Sequence, residues 1–293
     1  MALSITRVSD TKDRLGESPV WDQANARLLW VDSLGGVLHR LDLTTGTRED
    51  FSVPAPIGSF ALRGKDDAIL AVKDDFLHFD FESGVSRSLG SVNVAHPDVR
   101  LNDGKVDRQG RFLAGTMHLN RQPDEVPAGG LYRLDLDHKI TLLAEDIATS
   151  NGPCFSPDGR KLYFADSSRH VIWAFDYDID TGTPYNKRIF VDLNPLGTAP
   201  DGATVDAEGN LWSALVRSGQ IGCFDPSGRL VRRINMPVTH PTSVAFGGPD
   251  LDILFVTSIS KSMRMTATEE EAGWLLAIEG LGVTGIAEPR FAG

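Results

Sequence analysis

Apolar and polar residues alternate in short runs along the whole chain, and the runs are separated by turns bearing Gly, Asp or Asn. Alternation at every second position gives a strand one face for a core and one for a second layer or water, so the pattern predicts β-strands. The longest helix candidate, "MTATEEEAG" from Met265, is too short to hold a 3.6-residue period and reads as a surface loop. One phrase keeps returning: an apolar strand, a turn, then a second strand closing on an acid, as in "VLHRLDLTTG", "LYRLDLDHK" and "VIWAFDYDIDTG". The closing acids are Asp42, Asp80, Asp135, Asp176, Asp225 and Glu279.

Each copy also has an earlier apolar strand, anchored at Leu28, Ile69, Phe112, Leu162, Leu211 and Leu254. The anchors are spaced by 41, 43, 50, 49 and 43 residues, within the roughly 40–50 residues of one four-stranded propeller blade. The expected fold is therefore all-β: a six-bladed β-propeller with four-stranded antiparallel blades around a central channel, in one domain spanning residues 1–293. Turns such as "DRQGR" at Asp107, "SPDGR" at Ser156 and "DAEGN" at Asp206 place Gly where a tight hairpin needs positive φ. Ring closure is expected from pairing of "SITRV" (Ser4 to Val8) with "GIAEPRF" (Gly285 to Phe291).

Equivalent anchors imply equivalent positions about ten or eleven residues earlier, where six innermost strands begin near the channel. These are Glu17, Gly58 with Ser59, Asn102, Asn151, Asp201, and Thr242 with Ser243. Two carboxylates and two carboxamides thus line one end of the channel. Two acids there repel each other unless a cation or proton intervenes. Oxygen donors from Glu17, Asn151 and Asp201 suit a hard divalent ion, Ca²⁺ first, with Zn²⁺, Mn²⁺ or Mg²⁺ as alternatives.

The formal charge of −11 argues against a polyanionic partner such as nucleic acid and favours a small ligand. No obligate protein partner is implied. The chain starts without an apolar leader and has no run long enough to span a bilayer, so no membrane association and a cytoplasmic location are expected. Cys154 and Cys223 fall in different repeats and read as reduced packing residues.

The strings "RLGESPVWD" (Arg14), "RLNDGKVDRQGRFLAGTM" (Arg100), "SNGPCFSPDGRKLYFADS" (Ser150), "PDGATVDAEGNLW" (Pro200) and "AFGGPDLDILFVTS" (Ala245) resemble the gluconolactonase/regucalcin (senescence marker protein) family nearly end to end. The resemblance implies a metal-dependent hydrolase of sugar (aldono-) lactones. It assigns the metal to Glu17, Asn151 and Asp201, substrate contacts to Arg100 and Asn102, and proton transfer to Asp201. Where some relatives carry a substrate-contacting glutamate shortly after "AGTM", this chain reads His118, Leu119, Asn120, so His118 or Asn120 is expected to read a different hydroxyl pattern. Two other classes fit the architecture: a non-catalytic calcium-binding or protein-interaction propeller, and an organophosphate-hydrolysing propeller.

Other signals point to structure. Asp103 in "NDG" reads as a turn residue, and the seven His residues as polar blade surface with His118 the exception. "DYDIDTG" from Asp176 lacks the Gly and Glu of a calcium loop and reads as a hairpin. No G-x-S-x-G elbow or H-E-x-x-H motif occurs. Trp21, Trp30, Trp173 and Trp212 suit packing between blades, while Trp274 is a candidate cover for the channel.

Overall fold

The computed structural model describes residues 2–293 apart from Ala95, Pro123 and Met263. Six four-stranded antiparallel sheets follow one another in a ring, as the repeat predicts. Blade 1 runs through Gly16–Asp22, Arg27–Asp32, Val37–Asp42 and Arg48–Ser52, from the channel outward. The innermost strands of blades 2 to 6 are Ile57–Leu62, Val99–Val106, Ser150–Phe155, Pro200–Val205 and Pro241–Gly247. All six anchors fall in second strands, and every proposed pore residue lies on an innermost strand. "MTATEEEAG" forms no helix.

The blades are held by apolar side chains meeting between neighbouring sheets. Leu29, Val31 and Leu38 of blade 1 pack with Phe60, Leu70 and Phe79 of blade 2, and similar clusters fill the other interfaces. Full burial of each such side chain stabilises the fold by about 1.5–3 kcal/mol. Trp21 stacks on Phe255 across the interface of blades 1 and 6. Trp212 meets Phe246 edge-on between blades 5 and 6. Both cysteines are buried and free.

Closure differs from the expectation. Ser4–Arg7 pairs with Leu276–Glu279 and completes blade 6 as its outermost strand, so the first strand joins the last blade. Residues 285–291 form no strand. Pro289 has no N–H to give a ladder, and the flanking groups bond elsewhere. The tail instead crosses the turns at the far end of the channel from blade 5 onward: Ala207 N–H donates to Thr284 O, Gly285 N–H to Leu251 O, Phe291 N–H to Leu62 O and Ala292 N–H to Gly110 O. Glu288 meets Lys105 at 3.2 Å within this crossing.

His39 also departs from the reading of histidines as blade surface: it is 5% exposed, in the third strand of blade 1. Its Nε2 lies 3.1 Å from Asp13 and its Nδ1 2.7 Å from Asp50. Asp13 also accepts from Trp30 Nε1 at 2.8 Å. Burial opposes the imidazolium, but the two carboxylates outweigh it and raise the His39 pKa above its usual 6.5. A raised folded-state pKa gives stability that is complete below the unfolded value and is lost as pH climbs through the folded one. His39→Gln is therefore expected to melt furthest below the parent near about pH 5.5, with the gap narrowing toward about pH 9. Melting curves across that range check this, and a gap independent of pH would overturn it.

Candidate active site in the central channel

Each innermost strand begins at the open end of the channel, and in every blade its pairing slips at or just after the pore position. The shifts fall between Glu17 and Val20, Ile57 and Ser59, Leu101 and Gly104, Asn151 and Cys154, Pro200 and Ala203, and Pro241 and Val244. A β-bulge leaves a residue out of the ladder, bends the strand and re-aims its side chain. The neighbouring backbones can then close in. A Cβ on Gly58 would lie 2.4 Å from the Asn102 carbonyl oxygen, and one on Gly152, whose φ is 53°, 2.8 Å from that of Asp201.

Glu17, Arg100, Asn102, Asn151 and Asp201 line one cavity of about 600 Å³, with Leu15, Met117 and Ile259 among its apolar walls. Arg100 Nη1 donates to Asn102 Oδ1 at 2.9 Å and to Leu101 O at 2.8 Å. Asn102 Nδ2 donates to Asn151 Oδ1 and to Ser150 O, each at 2.8 Å. Asn151 Nδ2 donates to Ser167 Oγ at 2.8 Å, and Ser167 in turn donates to Pro200 O at 2.6 Å. The two carboxamides are thereby held in one orientation, and Asn151 Oδ1 keeps a second lone pair for a ligand.

Glu17 Oε2 and Asp201 Oδ1 are buried without a hydrogen-bond partner among the described residues. Burial first, then the charges of Asp201 and Asp103, push the Glu17 pKa well above the carboxylate range. Burial and the charge of Asp103 do the same to Asp201. Burial lowers Arg100 to about 10 against the attraction of Glu17. Among the described residues no three His, Cys, Asp or Glu side chains converge as a metal cluster. The two orphaned carboxylate oxygens and the free lone pair of Asn151 Oδ1 are a hard, all-oxygen donor set, which fits a divalent cation.

Asp103 proves to be no turn residue. It lies buried within Val99–Val106, where its carboxylate accepts from Gly104 N–H at 2.8 Å, Gly152 N–H at 2.9 Å and Ser18 Oγ at 3.4 Å. It thus ties the bulges of blades 3, 4 and 1 together. The "NDG" string carries no sign of this, since the same letters make an ordinary turn.

His118 and Asn120 stand apart from the cavity. Met117 and Leu119 line it, so strand alternation turns His118 to the other side, where its ring lies 4.6 Å from that of His96. Asn120 is exposed and donates to Asp98 at 3.1 Å. Ser167, Arg217, His240 and Arg264 line the cavity without having been singled out in the sequence. Trp274 covers nothing there; Arg7 stacks over its ring at 4.4 Å.

Residues 15–260 match the SMP-30/Gluconolactonase/LRE-like region family. The chain is 38% identical to regucalcin of Xenopus laevis over 291 residues, covering 98% of this chain and 97% of that one. It is 36% identical to 6-deoxy-6-sulfogluconolactonase of Pseudomonas putida over 284 residues, covering 95% of each. The crystal structure of a calcium-binding protein, regucalcin, from Agrobacterium tumefaciens superposes with a TM-score of 0.88 at 29% identity, covering 97% of this chain and 96% of that one. A six-bladed ring with this match along most of its length belongs to the SMP-30/gluconolactonase/LRE-like family.

Proposed function

We propose that the protein hydrolyses a sugar lactone to the free aldonic acid, using one divalent cation held by Glu17, Asn151 and Asp201. The observation that carries this reading is the pair of buried, unpartnered carboxylate oxygens, Glu17 Oε2 and Asp201 Oδ1, at a cavity that Arg100 also lines. Relatives named as a sulfogluconolactonase and as a calcium-binding protein support the substrate class and favour Ca²⁺. When bound, such a cation supplies polarisation of an ester carbonyl and a more acidic water.

The chain's own groups do the rest. Asp201 takes the proton of the attacking water on one carboxylate oxygen and returns it to the ring oxygen as the C–O bond breaks. Arg100, a planar cation with donors to spare, holds the lactone oxygens. Asn102 has its carboxamide committed to Arg100, Ser150 and Asn151, so it positions both the substrate-holding arginine and the ligand asparagine. Leu15, Met117 and Ile259 exclude water from the ring carbons.

Three outcomes are expected. Chelator-stripped protein releases acid from gluconolactone, galactonolactone, xylonolactone or arabinonolactone above the spontaneous rate only when Ca²⁺, Mn²⁺, Mg²⁺ or Zn²⁺ is restored; no release with any ion would overturn the hydrolase reading. Asp201→Ala abolishes turnover with the fold intact by circular dichroism, whereas Asn102→Ala lowers kcat/KM by about tenfold or more by loosening Arg100 and Asn151. In metal-free buffer Asp201→Asn relieves the repulsion with Glu17 and melts about 2–4 °C above the stripped parent. Added Ca²⁺ then raises the Tm of the parent and leaves that of the variant unmoved. An equal calcium-induced rise in both proteins would remove Asp201 from the ligand set.

A further inference from the structure

The outer part of the cavity carries positive charge that lactone hydrolysis does not need. Arg217 follows the second strand of blade 5, Leu211–Leu215, and His240 precedes the innermost strand of blade 6. Arg264 lies on the loop after Ile253–Ser258, the second strand of blade 6. All three line the cavity, and both arginines are exposed. The acids lining it, among the described residues, are Glu17 and Asp201, on innermost strands.

Neither arginine is spent on a carboxylate within the described residues. Arg217 Nη1 donates to His170 Nε2 at 3.2 Å; burial and the Arg217 charge lower the His170 pKa, so this acceptor is a neutral ring. Arg264 Nη2 donates to the backbone carbonyl of Leu119, on the blade 3 side of the cavity. Its guanidinium therefore reaches across from blade 6 toward the opposite blade. On a chain of net charge −11 the long-range field repels anions, and two arginines that line the cavity without a carboxylate partner among the described residues oppose that field locally. A guanidinium is a planar fork that matches the oxygens of a carboxylate, sulfonate or phosphate.

We propose that the substrate lactone bears an anionic group at the end remote from its carbonyl, and that Arg217 and Arg264 grip that group while Arg100 holds the lactone end. This rests on the lactonase reading. His240 borders the same subsite, its ring held by Nδ1 against Val216 O at 2.9 Å.

The test compares kcat/KM of the metal-loaded protein for gluconolactone with that for the same ring bearing a terminal phosphate, sulfonate or carboxylate. The anionic substrates are expected to be favoured by about tenfold or more, equivalent to about 1.4 kcal/mol. That preference should collapse in Arg217→Gln/Arg264→Gln and shrink in about 0.5 M salt, whereas Arg217→Lys retains most of it. Which of the three anions ranks first names the group. Equal or better turnover of neutral gluconolactone, or a preference untouched by the double substitution, would overturn this inference and leave the hydrolase reading standing. Turnover of no lactone at all would overturn both.

Discussion

Six innermost strands must share the space around one axis, and each gives way at the same place, by a register slip at or beside its pore residue. A regular strand would keep its side chains alternating between the two blade interfaces. The bulge releases one residue from that alternation and lets it face the channel. Glycines at Gly58 and Gly152 let the backbones approach where a Cβ would collide with a neighbouring carbonyl. Asp103 then ties the released N–H groups of adjacent blades to one carboxylate. Chemistry and architecture therefore meet at a single ring of residues: the distortion that lets the propeller close is also what presents its oxygens.

That presentation is electrostatically costly. Glu17, Asp201 and Asp103 are buried together, and each charge raises the free energy of the others. The arrangement makes sense where a cation or a polar substrate offsets the repulsion, and the blade interfaces, filled by independent apolar clusters, can tolerate the strain. The channel is asymmetric. Its far end is crossed by the C-terminal tail, with Glu288 paired to Lys105, while the other end opens through loops that carry Arg217, His240 and Arg264. On the proposed reading, a ligand passes this cationic rim before it reaches the buried carboxylates of Glu17 and Asp201.

Much of this was legible in the letters. The period-two alternation and the spacing of the anchors are local properties, so the six blades and the register of Glu17, Asn102, Asn151 and Asp201 on innermost strands could be read without coordinates. The final pairing could not. Read locally, the first strand points to the tail as its partner, whereas it pairs with Leu276–Glu279 and the tail crosses distant turns. His39 looked like any blade-surface histidine until Asp13 and Asp50 closed on it.

The sequence by itself determined the repeat, the number of blades and which residues open the innermost strands, because each follows from alternation and spacing within a few dozen residues. Tertiary structure alone decided which face of a strand meets the cavity, admitting Met117 and Leu119 and turning His118 away. It also decided that Asp103 is a buried tie and that Arg264 reaches Leu119, 145 residues away along the chain. Such contacts are set by how the blades close on one another, and no local pattern of residues encodes that distance.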